Sequence, residues 1–559
     1  MGRTNGKRNI IETLIQTLIL WRDVLENSIF DYIVIGSGSS GSVVASRLSE
    51  NPNHKVLIVE AGGSDKTPMV LIPGLGQLKA YGNPKYDWRY IAEPDPTRNG
   101  AEDYMPRGRV LGGTSSINAM SYVRGTEEDF DTWADLGCSG WAWKDVLPYF
   151  KKSESFEGGG SKYRGSNGPL AVSFLRSCHP LSKAFFDSAV NAGMKKLEDY
   201  NAPAREGIGF VQATQLRGVR HSASRAYLWP AMKRSNLVVL KNTVVKKIII
   251  DGSRAQGIEC FQQGKTYNVS ASKGVILSAG TFGSPHLLMH SGVGPSKNLK
   301  EHGIQVNVDL EGVGKNLQDH AGTAHSVWVN RSTYNTETKP WHYVINGINW
   351  CLTGRGPASS PTAQVQGTKY WDKNGTFSRV QYLFTPGGFK LGISGPEFYK
   401  RPAVTGLINL HRPYSKGYVY LKSNNPFDLP AVQPNLLSDS RDVEALLKGH
   451  KFIREIFTHK PLSRFVVEEF SPGKNVISDE EWRVFIRETA IGVYHPAGTC
   501  KMGKDKDAVV DEKLRVKGID SLYIADASIM PNVVSGNLNA NCVMIGEKAA
   551  DIITDRQNR

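Results

Sequence analysis

One imidazole, His495, stands before a proline in a run of small residues, YHPAGTCKMG (residues 494–503). With an ordinary pKa of about 6.5, a histidine can take up a proton near neutral pH. It can also bind a metal or simply pack. A metal centre needs partners. Cys500 follows five residues later, and no second group of His, Cys or carboxylate residues stands nearby in the sequence, so no metal site is expected. Spacing alone leaves base and packed side chain both open. Cys500 reads as a buried, inert thiol.

A second chemical signal lies near the other end of the chain. Residues 32–35, YIVI, form a short β-rich apolar run. Gly36, Gly38 and Gly41 follow in G-x-G-x-x-G spacing, with Ser39 and Ser40 between them. SVVASRLSE (42–50) reads as a helix, and VLIV (56–59) as a second strand ending at Glu60. The first glycine permits a tight turn, the second lets backbone approach a pyrophosphate, and the third lets helix and strand pack closely. The helix N-terminus offers free N–H groups to phosphates. Glu60 is placed to accept a ribose hydroxyl. This grip serves NAD and FAD equally.

Three more motifs separate the two. GRVLGGTSSIN spans 108–118, GTFGSPHLLMHSGVG spans 280–294, and ADASIMPNVVSGNLNANCVMIGEKAADII begins at Ala525. With YHPAGTCKMG they resemble, in order, the glucose-methanol-choline (GMC) oxidoreductases, in the branch that includes choline dehydrogenases and insect glucose dehydrogenases. The resemblance runs from about residue 30 to 555. It implies bound FAD and oxidation of an alcohol CH–OH group to aldehyde or ketone, with hydride transfer to flavin N5. The family's cofactor contacts fall on Gly36, Gly38, Ser39, Ser40, Gly41 and Glu60, then Gly113, Thr114 and Asn118. Val245 (backbone, at the adenine), Ala279, Gly280, Asp526 and Asn537 complete the set. His495 falls on the family's general base, and Asn537 on the second catalytic position. Asn539 is the alternative, two residues on. Ile117 stands where some choline oxidases attach FAD through histidine, so a non-covalent flavin is expected. The implied partners are a small-molecule alcohol and an electron acceptor, either oxygen or a quinone-like molecule. Two other chemistries share this pattern: an FAD-containing lyase, like a hydroxynitrile lyase, and a fatty acid photodecarboxylase. A flavin-binding protein without turnover is a third reading, disfavoured by the intact base position.

These motifs need an α/β (α+β composite) scaffold. The expectation is a Rossmann-like FAD-binding domain in discontinuous segments, 28–65, 215–315 and 510–555, with a sheet-and-helix substrate-binding domain from 66–214 and 316–509. Strand-like pieces support this: residues 236–250, GVILSAG and SLYIADASIM. Residues 541–553 read as a helix whose N-terminal dipole suits a reduced flavin. Trp328, Trp341, Trp350 and Trp371 are candidate pocket aromatics, though for any one of them a place in the sheet core is the commoner reading. Residues 411–426 read as a hairpin-like pair.

At 559 residues the chain exceeds one simple core. Its net charge of +15 is diffuse, without a dense Lys/Arg block, so nucleic acid is not an expected partner. Six scattered cysteines form no C-x-x-C pair, which points to reduced thiols and a cytoplasmic location. Sequons at Asn268, Asn330 and Asn374 do not argue for secretion. The stretch IIETLIQTLILW (10–21), within an N-terminal arm or helix of 27 residues, is too short and polar to span a bilayer. Its apolar spacing suits an amphipathic helix, packed on the body or peripheral to a membrane.

Overall fold

The computed structural model describes residues 28–74, 79–203, 205–337, 340–371, 379–392 and 395–555. The N-terminal arm lies outside the described residues. The apolar run Ile29–Ile35 forms β1, the turn after it opens helix α1 (Gly41–Leu48), and Val56–Val59 forms β2. Four further strands follow: β3 (Leu237–Leu240), β4 (Val244–Asp251), β5 (Arg254–Gln262) and β6 (Lys265–Leu277). Helix α2 (Gly280–His290) leaves the end of β6; far along the chain come β7 (Leu522–Ile524) and helix α3 (Asn539–Ile553).

These strands make a seven-stranded sheet in the order β3-β2-β1-β6-β5-β4, with β7 also on β6. Strands β3, β2, β1, β6 and β7 run parallel, while β4, β5 and the first half of β6 form an antiparallel meander. Every side chain of β2 is buried, as a parallel strand covered on both faces requires. Helix α1 lies against the sheet with Val43, Val44, Ala45 and Leu48 fully buried. Its close approach depends on Gly41, where a Cβ would stand 2.0 Å from Gly36 O.

A second seven-stranded sheet is antiparallel. Its order is Val466–Ser471, Ala321–Val329, Ala403–Leu410, Arg379–Thr385, Val365–Tyr370 and Gly207–Phe210, with Ile491–Gly492 on the start of Ala321–Val329. Strand alternation gives it two faces. Val380, Tyr382, Phe384, Ile408 and Leu410 pack on the long helix Ser440–Thr458. Leu383, Thr385, Leu407 and Asn409 point the other way, into a cavity between the sheets. Among the described residues no helix is long and apolar enough to cross a membrane.

Three sequence expectations shift. Part of the 66–214 segment joins the first core: Trp133, Trp141, Trp143, Val146 and Phe150 pack there. The reason is specific, since Trp133 and Trp141 donate their indole N–H groups to the carbonyls of Asn532 and Glu512 (both 3.0 Å). Of the four candidate aromatics, Trp350 lines the cavity. Trp328 instead stacks on Phe470, and Trp371 meets Phe452 edge-on. Tyr418–Tyr420 pairs with Ala431–Gln433, beyond the 411–426 stretch.

Helix α3 crosses α1 closely at Gly546. A Cβ there would stand 2.7 Å from Ser40 O and 2.8 Å from Val43 Cβ. In an open helix Gly→Ala gains up to about 1 kcal/mol. Here overpacking reverses the sign, and Gly546→Ala should lose about 1–3 kcal/mol. A thermal melt followed by circular dichroism checks this; an unchanged or raised Tm would refute the close crossing.

Candidate functional site

A cavity of about 1080 Å³ lies between the two sheets. One end is built by the β1–α1 loop. Gly36 has φ 92°, and a Cβ on it would stand 2.5 Å from Ser278 O. Ser37 donates its N–H (3.0 Å) and hydroxyl (2.7 Å) to Glu60 Oε2, and Gly62 N–H donates to Oε1 (2.8 Å). Burial raises the Glu60 pKa. The carboxylate therefore shapes the loop while also lining the cavity.

The N-termini of α1 and α3 are laced together beside this loop. Ser39 Oγ donates to Asn539 Oδ1 (2.8 Å), and Ser40 Oγ to Cys542 O (2.7 Å). The Gly113 turn stacks directly on Gly38, since a Cβ on Gly113 would stand 2.8 Å from Gly38 Cα. Thr114 Oγ1 accepts from Gly108 N–H (3.1 Å), and Asn118 Oδ1 from Arg220 Nη1 (2.8 Å). Asp526 joins two distant motifs: Oδ2 accepts from Gly280 N–H (2.8 Å) and Ser284 Oγ (2.6 Å), and Oδ1 from Ser528 N–H (2.8 Å). Val245, on β4, and Ala279, before α2, border the same cavity.

The residues present fit a flavin dinucleotide. A Cβ on Gly280 (φ 82°) would meet nothing within 4 Å, and one on Gly38 only Ser278 O at 4.0 Å. Both backbones thus face open cavity where a diphosphate could lie, beside the N-terminus of α1.

At the other end stands His495. Asn537 Nδ2 donates to His495 Nε2 (2.9 Å), and His495 Nδ1 lies 3.1 Å from His320 Nδ1. If Nε2 accepts, the His495 proton sits on Nδ1 and is donated to His320. This tautomer follows from the network of partners. Burial holds His495 well below its ordinary pKa and His320 down to about 4. Both rings are therefore neutral at pH 7. Backbone contacts fix the ring's position: His495 N–H donates to Asp319 Oδ1 (2.8 Å), and Arg107 Nη2 donates to Tyr494 O (2.7 Å). Tyr494 has φ 70°, a left-handed conformation that costs a bulky residue energy. The buried Oδ1 of Asn537 has no protein partner among the described residues. The second sheet contributes Leu383, Leu407 and Ile491 to the cavity wall, with Ala363 and Val493 beside them and Thr385 and Asn409 as its polar members.

The structure thus separates the two asparagines. Asn537 meets His495, and Asn539 meets Ser39. Asp319, His320, Arg107 and Tyr494 complete the site without having been singled out from sequence. The Asp-His pair at 319–320 was the available signal, but 175 positions separate His320 from His495.

Comparisons agree with this geometry. Residues 30–322 and 413–546 match the N-terminal and C-terminal parts of the GMC oxidoreductase family. The chain is 40% identical to an oxygen-dependent choline dehydrogenase of Rhizobium etli, over 94% of this chain and 96% of that protein. It is also 40% identical to the mitochondrial choline dehydrogenase of Mus musculus, over 94% and 89%. Among solved structures, formate oxidase of Aspergillus oryzae superposes with TM-score 0.88 at 27% identity, covering 95% of this chain and 99% of that one. Pyridoxine 4-oxidase of Mesorbium loti gives TM-score 0.84 at 29% identity, with coverage of 95% and 99%.

Asp319 supplies a pH test. Burial pushes its carboxyl up to about 7, above the ordinary 3.8. A raised folded-state pKa contributes stability that is complete below the unfolded value and is lost as pH rises through the folded one. Through this group the parent should therefore lose Tm between about pH 4 and pH 7, and no further above that. Asp319→Asn keeps an acceptor for His495 N–H and removes the titration, so that part of the loss should vanish. Parallel Tm profiles for parent and variant would contradict this.

Proposed function

This chain belongs to the GMC oxidoreductase family, and we propose that it oxidises the CH–OH group of a small-molecule alcohol to an aldehyde or ketone with FAD, His495 taking up the hydroxyl proton. The observation that carries the reading is the His495–Asn537 pair, 2.9 Å apart in the cavity wall. The choline dehydrogenase relatives and oxidase neighbours are oxidoreductases, which favours this chemistry over lyase or photodecarboxylase activity.

When bound, FAD supplies the hydride acceptor. It would be held by the Gly36–Gly41 loop with Ser39 and Ser40, by Glu60, Gly113, Thr114 and Asn118, and by Val245, Ala279, Gly280 and Asp526. Ile117 is buried with Val70, Tyr86 and Val110 and carries no nucleophile, which supports non-covalent attachment. The alcohol hydroxyl would take the place of the Asn537 amide at His495 Nε2, and the neutral ring would accept the proton there, which makes the carbon-bound hydrogen a better hydride. The Asn537 amide donates to the developing alkoxide and cannot compete as an acid. Desolvation in the buried site strengthens both interactions. Oxygen or a quinone-like molecule is the proposed terminal acceptor.

Anaerobic mixing of the flavoprotein with primary alcohols, read as flavin bleaching in stopped flow, tests the roles. His495→Ala should slow bleaching by about 10²–10⁴-fold with flavin retained. Asn537→Ala should also slow it. Asn539→Ala should instead weaken flavin retention and leave the bleaching rate near the parent's. Because burial lowers the His495 pKa, the parent rate should stay flat from about pH 6.5 to 8. Unslowed bleaching in His495→Ala would remove the base from the mechanism.

A further inference from the structure

The helix Pro340–Thr353, PWHYVINGINWCLT, contains no Asp, Glu, Lys or Arg. At 3.6 residues per turn its side chains divide between two faces. Tyr343, Asn346, Gly347 and Trp350 fall on one face and line the cavity. Trp350 Nε1 anchors that face by donating to Gly218 O (2.7 Å). Trp341, Val344, Ile345, Ile348 and Leu352 fall on the opposite face, 53%, 59%, 60%, 56% and 81% exposed. Leu216, also exposed, extends the apolar surface, because its hairpin touches the helix end where Gly218 meets Gly354. A contiguous apolar stripe of this size on a soluble chain marks a docking surface.

Charge indicates what docks there. Residues 340–371 include no acid. Exposed cations surround the stripe: Arg355 follows the helix, and Arg217 adjoins Leu216. Lys390 and Lys400 flank Phe389 and Phe398, which line the same cavity; Glu397 and the cavity-lining Glu337 are acids near that rim, so the described cations Arg217, Arg355, Lys390 and Lys400 outnumber them. The whole chain carries +15. A second copy would bring the same sign of charge to this rim and be repelled, whereas an anionic surface would be attracted.

We propose that this helix docks the cavity mouth on an anionic lipid bilayer, with the Trp341–Ile345–Ile348–Leu352 stripe in the headgroup–acyl boundary and the rim cations among the headgroups. The stripe is separate from the chemistry proposed above, and the surface stands or falls independently of it.

Sedimentation of the full-length flavoprotein with vesicles tests this. The parent should bind mixed phosphatidylserine–phosphatidylcholine vesicles, bind pure phosphatidylcholine much less, and release as salt screens the charges. Ile345→Glu combined with Ile348→Glu should weaken binding roughly ten-fold or more, with flavin absorbance and Tm unchanged. The milder Leu352→Ser should weaken it less, in the same direction. A parent that stays in the supernatant with both vesicle types, or variants that sediment like the parent, would overturn the proposal. So would a dimer, seen by light scattering, that the double variant converts to monomer.

Discussion

One short turn holds both ends of the cavity. Asn537 donates to His495, and Asn539, two residues later, accepts from Ser39 in the dinucleotide loop. Helix α3 starts at that second asparagine, so its position against α1 sets the distance between loop and imidazole. Gly546 makes that position possible, because any side chain there would strike the α1 entry. Asn541, one step further on, accepts from Gly125 N–H (2.7 Å) and donates to Asn537 O (3.0 Å). The turn therefore has little freedom, and the separation between its two partners is a property of the backbone rather than of loose side chains.

The imidazole end is also over-determined. His495 is held through its own N–H by Asp319, through Nδ1 by His320 and through Nε2 by Asn537. The carbonyl before it is held by Arg107. These contacts compensate for the left-handed Tyr494, whose conformation aims the next residue into the cavity. Burial then does two things to the same group of residues. It keeps both imidazoles neutral, and it makes the Asp319 carboxylate costly. Neutral imidazoles and a carboxyl that resists ionisation both follow from dryness.

The strand–glycine loop–helix–strand unit of residues 29–60 was legible because that signal is local. Strand, glycines, helix, second strand and Glu60 lie within about thirty residues, and each answers to its neighbours. His495 and Asn537 were legible through motifs, yet the choice between Asn537 and Asn539 needed the turn of the backbone. Asp319 and His320 were not legible, since nothing in their neighbourhood announces a partner 175 residues away. The placement of Trp133 and Trp141 was hidden for a related reason. Their indoles meet carbonyls of the C-terminal segment, a long-range satisfaction that composition and periodicity cannot report.

The helix Pro340–Thr353 shows a further limit of pattern reading. A helix without charged residues resembles a buried one, yet none of it is buried. One face meets the cavity and the other meets the outside, so both are apolar for different reasons. The cavity is similarly two-sided. Its floor presents neutral hydrogen-bonding groups from His495 and the 537–539 turn, and its roof presents Leu383 and Leu407, directly opposed across adjacent strands, with Thr385 and Asn409 on the same face. A hydroxyl placed beside His495 meets hydrogen-bonding partners there, while an apolar remainder meets Leu383 and Leu407. A hydroxyl turned toward the roof finds partners at Thr385 and Asn409 but none against the leucines. Each polar group left unsatisfied there is unfavourable by on the order of 1–3 kcal/mol, so the placement of these few polar groups, rather than the character of either sheet as a whole, orients a substrate.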